Sequence, residues 1–257
     1  MRGLLGAFLG VVALSASAAP LFGNSVVSND LGFINTQDPS AFYCLQYFGT
    51  DRREMPDKRK DELFADGVHN FEAWFKDGTA IGIWVHPDVG ENARQVALQV
   101  TGPLGRLPPF MSERLGHVVI HHGDETAFAE DEGRFFVLYD GNMARRIATH
   151  DLEETVFHEA VHATLDIPLA RSDAWQRAQQ NDHGFVTRYA QANPYKEDLA
   201  ETALFAYAHF QHPDRLPADV TARLVAEVPN RLPVLEQLFG ADQQMQSTVD
   251  NLQGCDG

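Results

Sequence analysis

The chain has 257 residues, of which 36 are acidic and 20 are basic, so its formal net charge is −16. Hydrophobic residues make up 44% of the sequence and include 17 Phe, which is enough to build a buried core and argues against a disordered chain. The negative balance argues against nucleic acid or an anionic membrane as a partner, because such surfaces are bound through basic patches. The length suits one large domain or two small ones.

The N-terminus has the pattern of a secretory signal peptide. Arg2 supplies a positive charge, residues 4–14 form an apolar run, and Ala16-Ser17-Ala18 offers a cleavage site. The run is well short of the ~20 residues that a membrane-spanning helix needs, and no later segment is apolar enough to span a bilayer. We therefore expect residues 1–18 to be removed and the protein to be secreted or periplasmic.

Two cysteines, Cys44 and Cys255, lie near opposite ends of the mature chain. In an oxidising compartment such an even pair predicts a disulfide. Closing so long a loop would stabilise the fold by ~4–5 kcal/mol on the chain-entropy model. Two free thiols are the alternative.

The first part of the mature chain predicts strands and one helix. Residues 19–60 are mixed and turn-rich, and their charged run at 51–62 is interpreted as a solvated helix or loop face. Strand-like runs on either side of Asp77-Gly78 predict a hairpin. A helix at 91–101 and strands at 117–121 and 134–139 follow.

From Asp151 onward the pattern is helical, with helices expected at about 151–166, 172–181, 195–210, 217–227 and 232–239. Strands with one helix, followed by helices only, predict an α+β fold. We expect residues 61–257 to form a single domain that follows an N-terminal segment at 19–60.

The first of these helices carries a metal-binding pattern. Asp151 is the expected N-cap, with Glu154 as its capping-box partner. His158 and His162 are four residues apart and project from one helix face, where two imidazoles can share one tetrahedral Zn²⁺. Glu159 then lies beside the metal, as in the HExxH motif. The alternative is a pair of partly buried histidines on an ordinary amphipathic helix.

A third zinc ligand is expected from the helix that follows Pro194. Glu197 and Glu201 are again four residues apart, and two carboxylates on an inward face are costly to bury unless a cation meets them. We predict that Glu197 binds one zinc ion per chain and that Glu201 holds the ring N–H of a histidine. A solvated glutamate pair is the alternative, and Asp198 is a second choice of ligand.

The pattern His158-Glu159-x-x-His162 followed by Glu197-x-x-x-Glu201 resembles the glutamate-ligand zincin metallopeptidases, of the thermolysin and anthrax lethal factor type. The surrounding sequence is similar to secreted zincin-like proteins without an established substrate, over about residues 60–240. The resemblance implies a zincin-like fold: a small twisted mixed sheet with an edge strand before the motif helix, then mostly helices. In such enzymes the edge strand binds an extended peptide, and Arg134–Tyr139 is the expected edge here.

The resemblance also implies two further roles. Zincins of this branch carry a Tyr or His that stabilises the developing oxyanion; Tyr189 is the first choice and Tyr195 the second, and a packed core tyrosine is the alternative. Asp166, four residues after His162, occupies a place where zincins have an acidic residue that orients the site, and a plain helix end is the alternative.

Together these features predict a secreted zinc metallopeptidase that hydrolyses peptide bonds with zinc-activated water and Glu159 as general base. A secreted binding or structural protein with a non-hydrolytic zinc site is one alternative. A hydrolase of another amide, such as a cell-wall crosslink, is the other. The remaining histidine pairs, His117 with His121 and His209 with His212, are interpreted as surface residues.

Overall fold

The computed structural model of the protein describes residues 19–27 and 29–240. The predicted signal peptide and Cys255 lie outside the described residues, so export and the disulfide stay predictions. No helix within the described ranges has the length and apolar character needed to cross a bilayer.

Six strands form one mixed sheet: β1 (Phe42–Glu54), β2 (Phe64–Phe75), β3 (Ala80–Val85), β4 (His117–His121), β5 (Phe128–Glu130) and β6 (Phe135–Tyr139). Their order across the sheet is β1-β2-β3-β4-β6-β5. The pairs β3–β4 and β4–β6 are parallel, and the other three are antiparallel.

The described residues contain nine α-helices: α1 (Ala93–Leu104), α2 (Pro109–Ser112), α3 (Asp140–Thr149), α4 (Leu152–Leu165), α5 (Asp173–Asn181), α6 (Arg188–Ala192), α7 (Asp198–Gln211), α8 (Ala218–Glu227) and α9 (Arg231–Phe239). The predicted α+β class is therefore confirmed. The five helices predicted after Asp151 are found as α4, α5, α7, α8 and α9, with ends shifted by a few residues.

The β2–β3 hairpin is confirmed around Asp77-Gly78. Gly78 has φ of +87°, a left-handed conformation that glycine adopts without strain. Along β3 every second residue is buried, which is the alternation from which the strand was predicted.

The interpretation of residues 51–54 as a helix or loop is wrong, because they belong to β1, which pairs with β2 along most of its length. Their side chains are largely exposed, as expected. Leu45 is the only buried residue of β1. A strand with one buried residue does not need the alternation of apolar and polar residues from which strands are predicted, so the sequence carries no signal for it.

The predicted edge strand is also wrong. β6, which corresponds to the stretch Arg134–Tyr139, lies between β4 and β5, and all five of its residues are buried. A strand buried on both faces and paired on both sides reads as a continuous apolar run, which is how Phe135–Tyr139 appears in the sequence. The edge of the sheet on this side is β5, a strand of three residues that the sequence analysis missed.

α4 is the central helix of the molecule. It packs against α1, α7 and the β5–β6 side of the sheet, and 13 of its residues are buried. The N-terminal segment joins the same core, since Phe33 is fully buried and its ring lies edge-on to Phe205 of α7, with ring centroids 4.8 Å apart.

The capping box predicted for α4 does not form. Asp151 is the N-cap residue, but its side chain bonds to Thr149 and to Arg146 instead of the first-turn amides. Glu154 turns away from it and accepts a hydrogen bond from the backbone N–H of Phe33 at 2.7 Å. The N-terminal segment thus competes successfully for the carboxylate that the local pattern assigned to the cap.

Candidate metal centre

α4 brings His158 and His162 together as the i, i+4 spacing predicts. Both rings lie on the face of the helix that lines a cleft, and their Nε2 atoms are 3.3 Å apart. Both side chains are mostly buried, so neither nitrogen is well hydrated.

Glu197 joins them from the N-terminal end of α7. Its Oε2 atom lies 3.3 Å from Nε2 of His162 and 3.5 Å from Nε2 of His158. Ligands bound at ~2.0–2.1 Å to one tetrahedral ion are separated by about 3.3–3.4 Å. The three atoms therefore have the spacing of three corners of a zinc tetrahedron, and they are the only such group of three within the described ranges.

The electrostatics of the three side chains also fit a cation. Burial alone favours the neutral form of Glu197, but the two imidazoles hold the pKa of its carboxyl well below the ordinary value. Burial likewise opposes protonation of His162, yet hydrogen bonds to Asp166 and Glu197 raise its pKa to about 10. The raised pKa of His162 and the lowered pKa of Glu197 indicate that the three groups together favour one positive charge between them, which a proton or a metal ion can supply.

Asp166 orients His162. It lies in the single π-helical turn Asp166–Ala170 that follows α4, and its Oδ2 accepts from Nδ1 of His162 at 2.9 Å. A carboxylate at Nδ1 fixes the tautomer that leaves the Nε2 lone pair pointing to the centre of the site. The contact between Asp166 and His162 is the one that the predicted role needs, and the role itself stays a prediction.

Glu201 faces the other histidine. Its Oε1 atom is 3.7 Å from Nδ1 of His158, slightly beyond hydrogen-bonding distance, and that nitrogen is buried without a partner in the described part of the chain. The carboxylate itself accepts from the backbone N–H and hydroxyl of Ser25, at 2.7 and 3.0 Å, and from the hydroxyl of Thr187 at 2.6 Å. These donors hold Glu201 beside the ring.

Glu159 and Tyr189 complete the residues that the sequence assigned to the site. Glu159 is buried at the cleft, and burial raises the pKa of its carboxyl above the ordinary value. Tyr189 is half-exposed, and its hydroxyl donates to Oε1 of Glu197 at 3.0 Å. Burial together with the negative charge of Glu197 raises the pKa of this phenol to about 12, so the group keeps its proton.

The second choices are placed elsewhere or left exposed. Asp198 points away from the histidines and accepts from Arg231 and Gln179. Tyr195 lines the cleft but is 85% exposed. The interpretation of His121 as a surface residue is wrong. It is the last residue of β4, its side chain is buried, and its Nε2 bonds to the carbonyl of Pro56.

The cleft that contains these groups has a volume of about 650 Å³. One wall is the edge strand β5, and another is the N-terminal segment with Asn24, Val26 and Val27. A further part of the lining comes from α3 and the first turn of α4, through Asn142, Arg146 and Thr155. The sequence analysis did not assign any of these residues to the site.

Only one of the missed residues had a usable sequence signal. Thr187 is the N-cap of α6 and accepts from the backbone N–H of Ala190, a pattern that Thr at a helix start suggests. Ser25 lies 176 residues from its partner Glu201 in an irregular segment, so nothing in the local pattern could connect them.

Comparisons of the chain with protein-family models, with curated proteins and with solved structures found no match.

Proposed function

We propose that this protein is an exported zinc-dependent metallopeptidase with a zincin-like fold. The observation that carries the proposal is the spacing of 3.3–3.5 Å among Nε2 of His158, Nε2 of His162 and Oε2 of Glu197, with Glu159 next to them at the cleft. Two imidazoles and one carboxylate are the ligand set of catalytic zinc sites that leave a fourth position open.

The residues present fit this ion. Nε2 of His158, Nε2 of His162 and Oε2 of Glu197 converge on one point, Asp166 accepts from Nδ1 of one imidazole, and Glu201 stands behind the other. When bound, zinc supplies a Lewis acid that polarises a carbonyl and lowers the pKa of water towards ~7.

Glu159 is the proton carrier in this proposal. Its buried carboxyl has a raised pKa, which suits a group that takes a proton from water and later gives it to a leaving amine. Tyr189 is the second functional residue. Its hydroxyl, which donates to Glu197 in the structure, is available to a developing oxyanion when a substrate fills the cleft.

The peptide is proposed to lie along β5 rather than along the stretch Arg134–Tyr139. β5 is the last strand of the sheet, and Phe128, Ala129 and Glu130 line the cleft. An edge strand offers backbone groups that pair with an extended peptide.

The test is the isosteric variant Glu159→Gln, assayed with casein and with its zinc content measured by mass spectrometry. We expect one zinc ion per chain and a loss of activity of about 10²–10⁴-fold, the contribution of a general base. Asp173→Asn, which removes one acidic charge from the exposed start of α5 outside the cleft, is the control and should keep its activity.

Two results would contradict the proposal. Glu159→Gln at the wild-type rate would remove the assigned base, and zinc content unchanged in both His158→Ala and Glu197→Ala would remove the metal site. If zinc raises the melting temperature but the protein cleaves no substrate, the result would instead support a binding or structural protein.

A further inference from the structure

The part of the cleft that α3 lines contains a hydrogen-bond donor without an acceptor among the described residues. Asn142 is only 5% exposed and lines the cleft, yet its Nδ2 atom is buried without an acceptor among the described residues. A buried amide N–H without a partner costs about 1–3 kcal/mol, so such groups in native proteins generally await a ligand or ordered water.

Arg146 adds a positive charge to the same place. It is one turn after Asn142 on α3, so both side chains are on the helix face that lines the cleft. Its guanidinium contacts Asp151 through Nη1 at 3.3 Å and makes no other hydrogen bond to residues 19–27 or 29–240. An arginine presents five donors, so most of them remain for a ligand.

This pair lines the same cleft as Glu159. Thr155, which also lines the cleft, precedes Glu159 by four residues and therefore lies one turn away on the same face of α4. A peptide that reaches Glu159 therefore lies in the cleft that Asn142 and Arg146 also line.

We propose that Asn142 and Arg146 form a specificity subsite for a carboxylate side chain, Asp or Glu, of a peptide bound in the cleft. This inference rests on the proposed peptidase function. A carboxylate accepts from a guanidinium and an amide at once and forms the stronger, charge-assisted bonds.

Charge elsewhere in the cleft favours this one location for a carboxylate. The other cationic side chains of the cleft lining are Arg171 and Lys196. Arg171 is paired with Asp131 as Arg146 is with Asp151, but its side chain is 61% exposed against 22% for Arg146, and Lys196 is exposed as well, so solvent screens the charge of Arg146 least. The zinc ligand Glu197 and the strand residue Glu130 make the remaining surface acidic. An acidic side chain is therefore repelled from most of the cleft and attracted at Arg146.

The experiment measures binding, so it does not need an active enzyme. Zinc-loaded Glu159→Gln protein is incubated with a random hexapeptide mixture, and the retained peptides are sequenced by mass spectrometry. We expect Asp and Glu to be enriched at one position by roughly tenfold over Asn and Gln, the effect of a hydrogen bond to a charged group. Adding Arg146→Gln should abolish the enrichment, and Arg171→Gln, the matched change of charge, should leave it.

Asn142→Ala keeps the contact between Arg146 and Asp151 and is the second variant, in case Arg146→Gln does not fold. It should reduce the enrichment while zinc content stays unchanged. Enrichment of apolar or amide residues, no enrichment, or acidic enrichment that survives both variants would overturn the subsite. If the wild-type protein enriches acidic peptides but cleaves none of them, the subsite is supported and the peptidase function is refuted. If it cleaves peptides without any preference for acidic residues, the peptidase function is supported and the subsite is refuted.

Discussion

His162 is held by a neighbour that the helix itself supplies. Asp166 follows it by four residues and accepts from Nδ1 at 2.9 Å, while Oδ1 of the same carboxylate is buried without a hydrogen bond in the described part of the chain. His158 has a different arrangement, since its carboxylate neighbour, Glu201, comes from α7 and stands 3.7 Å from Nδ1. The two histidines therefore differ in how firmly they are oriented, and His162 is the better fixed one.

Replacing Asp166 should weaken zinc binding without removing it. We expect Asp166→Ala to lower zinc affinity about 10–100-fold, the usual effect of losing a carboxylate behind a metal-bound histidine, and Asp166→Asn to fall between. Competition with a chelator of known affinity measures the change. Asp173→Asn, an exposed acid at the start of α5, is the control and should bind zinc as the wild type does. Equal affinities for Asp166→Ala and the wild type would show that the ring is held by packing alone.

At the scale of the element, α4 is notable for buried acids. Glu153, Glu154 and Glu159 are all buried, and each meets a different environment. Glu153 faces Arg106 at 3.6 Å, and Glu154 accepts from the backbone of Phe33, so these two carboxylates join the helix to other parts of the chain. Glu159 alone among the three faces the cleft.

Glu154 should make stability fall as pH rises. Burial raises the pKa of its carboxyl to about 8, against an ordinary value of 4.5, although the N–H groups of Phe33 and Ile34 favour the charged form. Between these values the folded protein holds a proton that the unfolded chain has lost, so each pH unit lowers the free energy of unfolding by up to about 1.4 kcal/mol. Below about pH 4.5 both states are protonated and this loss is absent.

The test compares the wild type with Glu154→Gln, which imitates the protonated acid. Urea unfolding at pH 5.5, 6.5 and 7.5, with both proteins in the same metal state, should show the wild type losing stability relative to the variant at each step. If the free energies of unfolding of the two proteins changed in parallel over this pH range, Glu154 would ionise in the folded protein as it does in the unfolded chain.

At the scale of the whole molecule, a fully buried arginine joins three helices near the candidate metal centre. Arg231 opens α9 and bonds to Asp182, the C-cap of α5, at 2.6 Å and to Asp198, the first residue of α7. All three side chains are inaccessible to solvent. Because Asp198 directly follows Glu197, this network fixes the end of α7 from which Glu197 reaches the two histidines.

Arg231→Met should destabilise the protein by about 3–5 kcal/mol, because two buried carboxylates lose their counter-charge. Zinc affinity should fall as well, since the start of α7 is released. Urea unfolding and chelator competition measure the two effects. Arg177→Met, which breaks the exposed pair with Asp173, should change the free energy of unfolding by well under 1 kcal/mol. A similarly small effect of Arg231→Met would show that the network is dispensable.

The sequence by itself predicted the features that depend on short spacings. The i, i+4 spacing brings His158 and His162 to one face, and the same spacing turns Glu197 and Glu201 inward on one side of α7. The β2–β3 hairpin and the helices after Asp151 followed from local periodicity and turn residues in the same way.

The tertiary structure alone decided what meets across long separations. It brought Glu197 to His162 over 35 residues and Ser25 to Glu201 over 176, and it gave Glu154 to Phe33 rather than to the helix cap. It also made β5 the edge of the sheet and β6 an interior strand. The periodicity of a segment fixes which of its faces is buried, whereas the partner of that face is set by the packing of the whole chain.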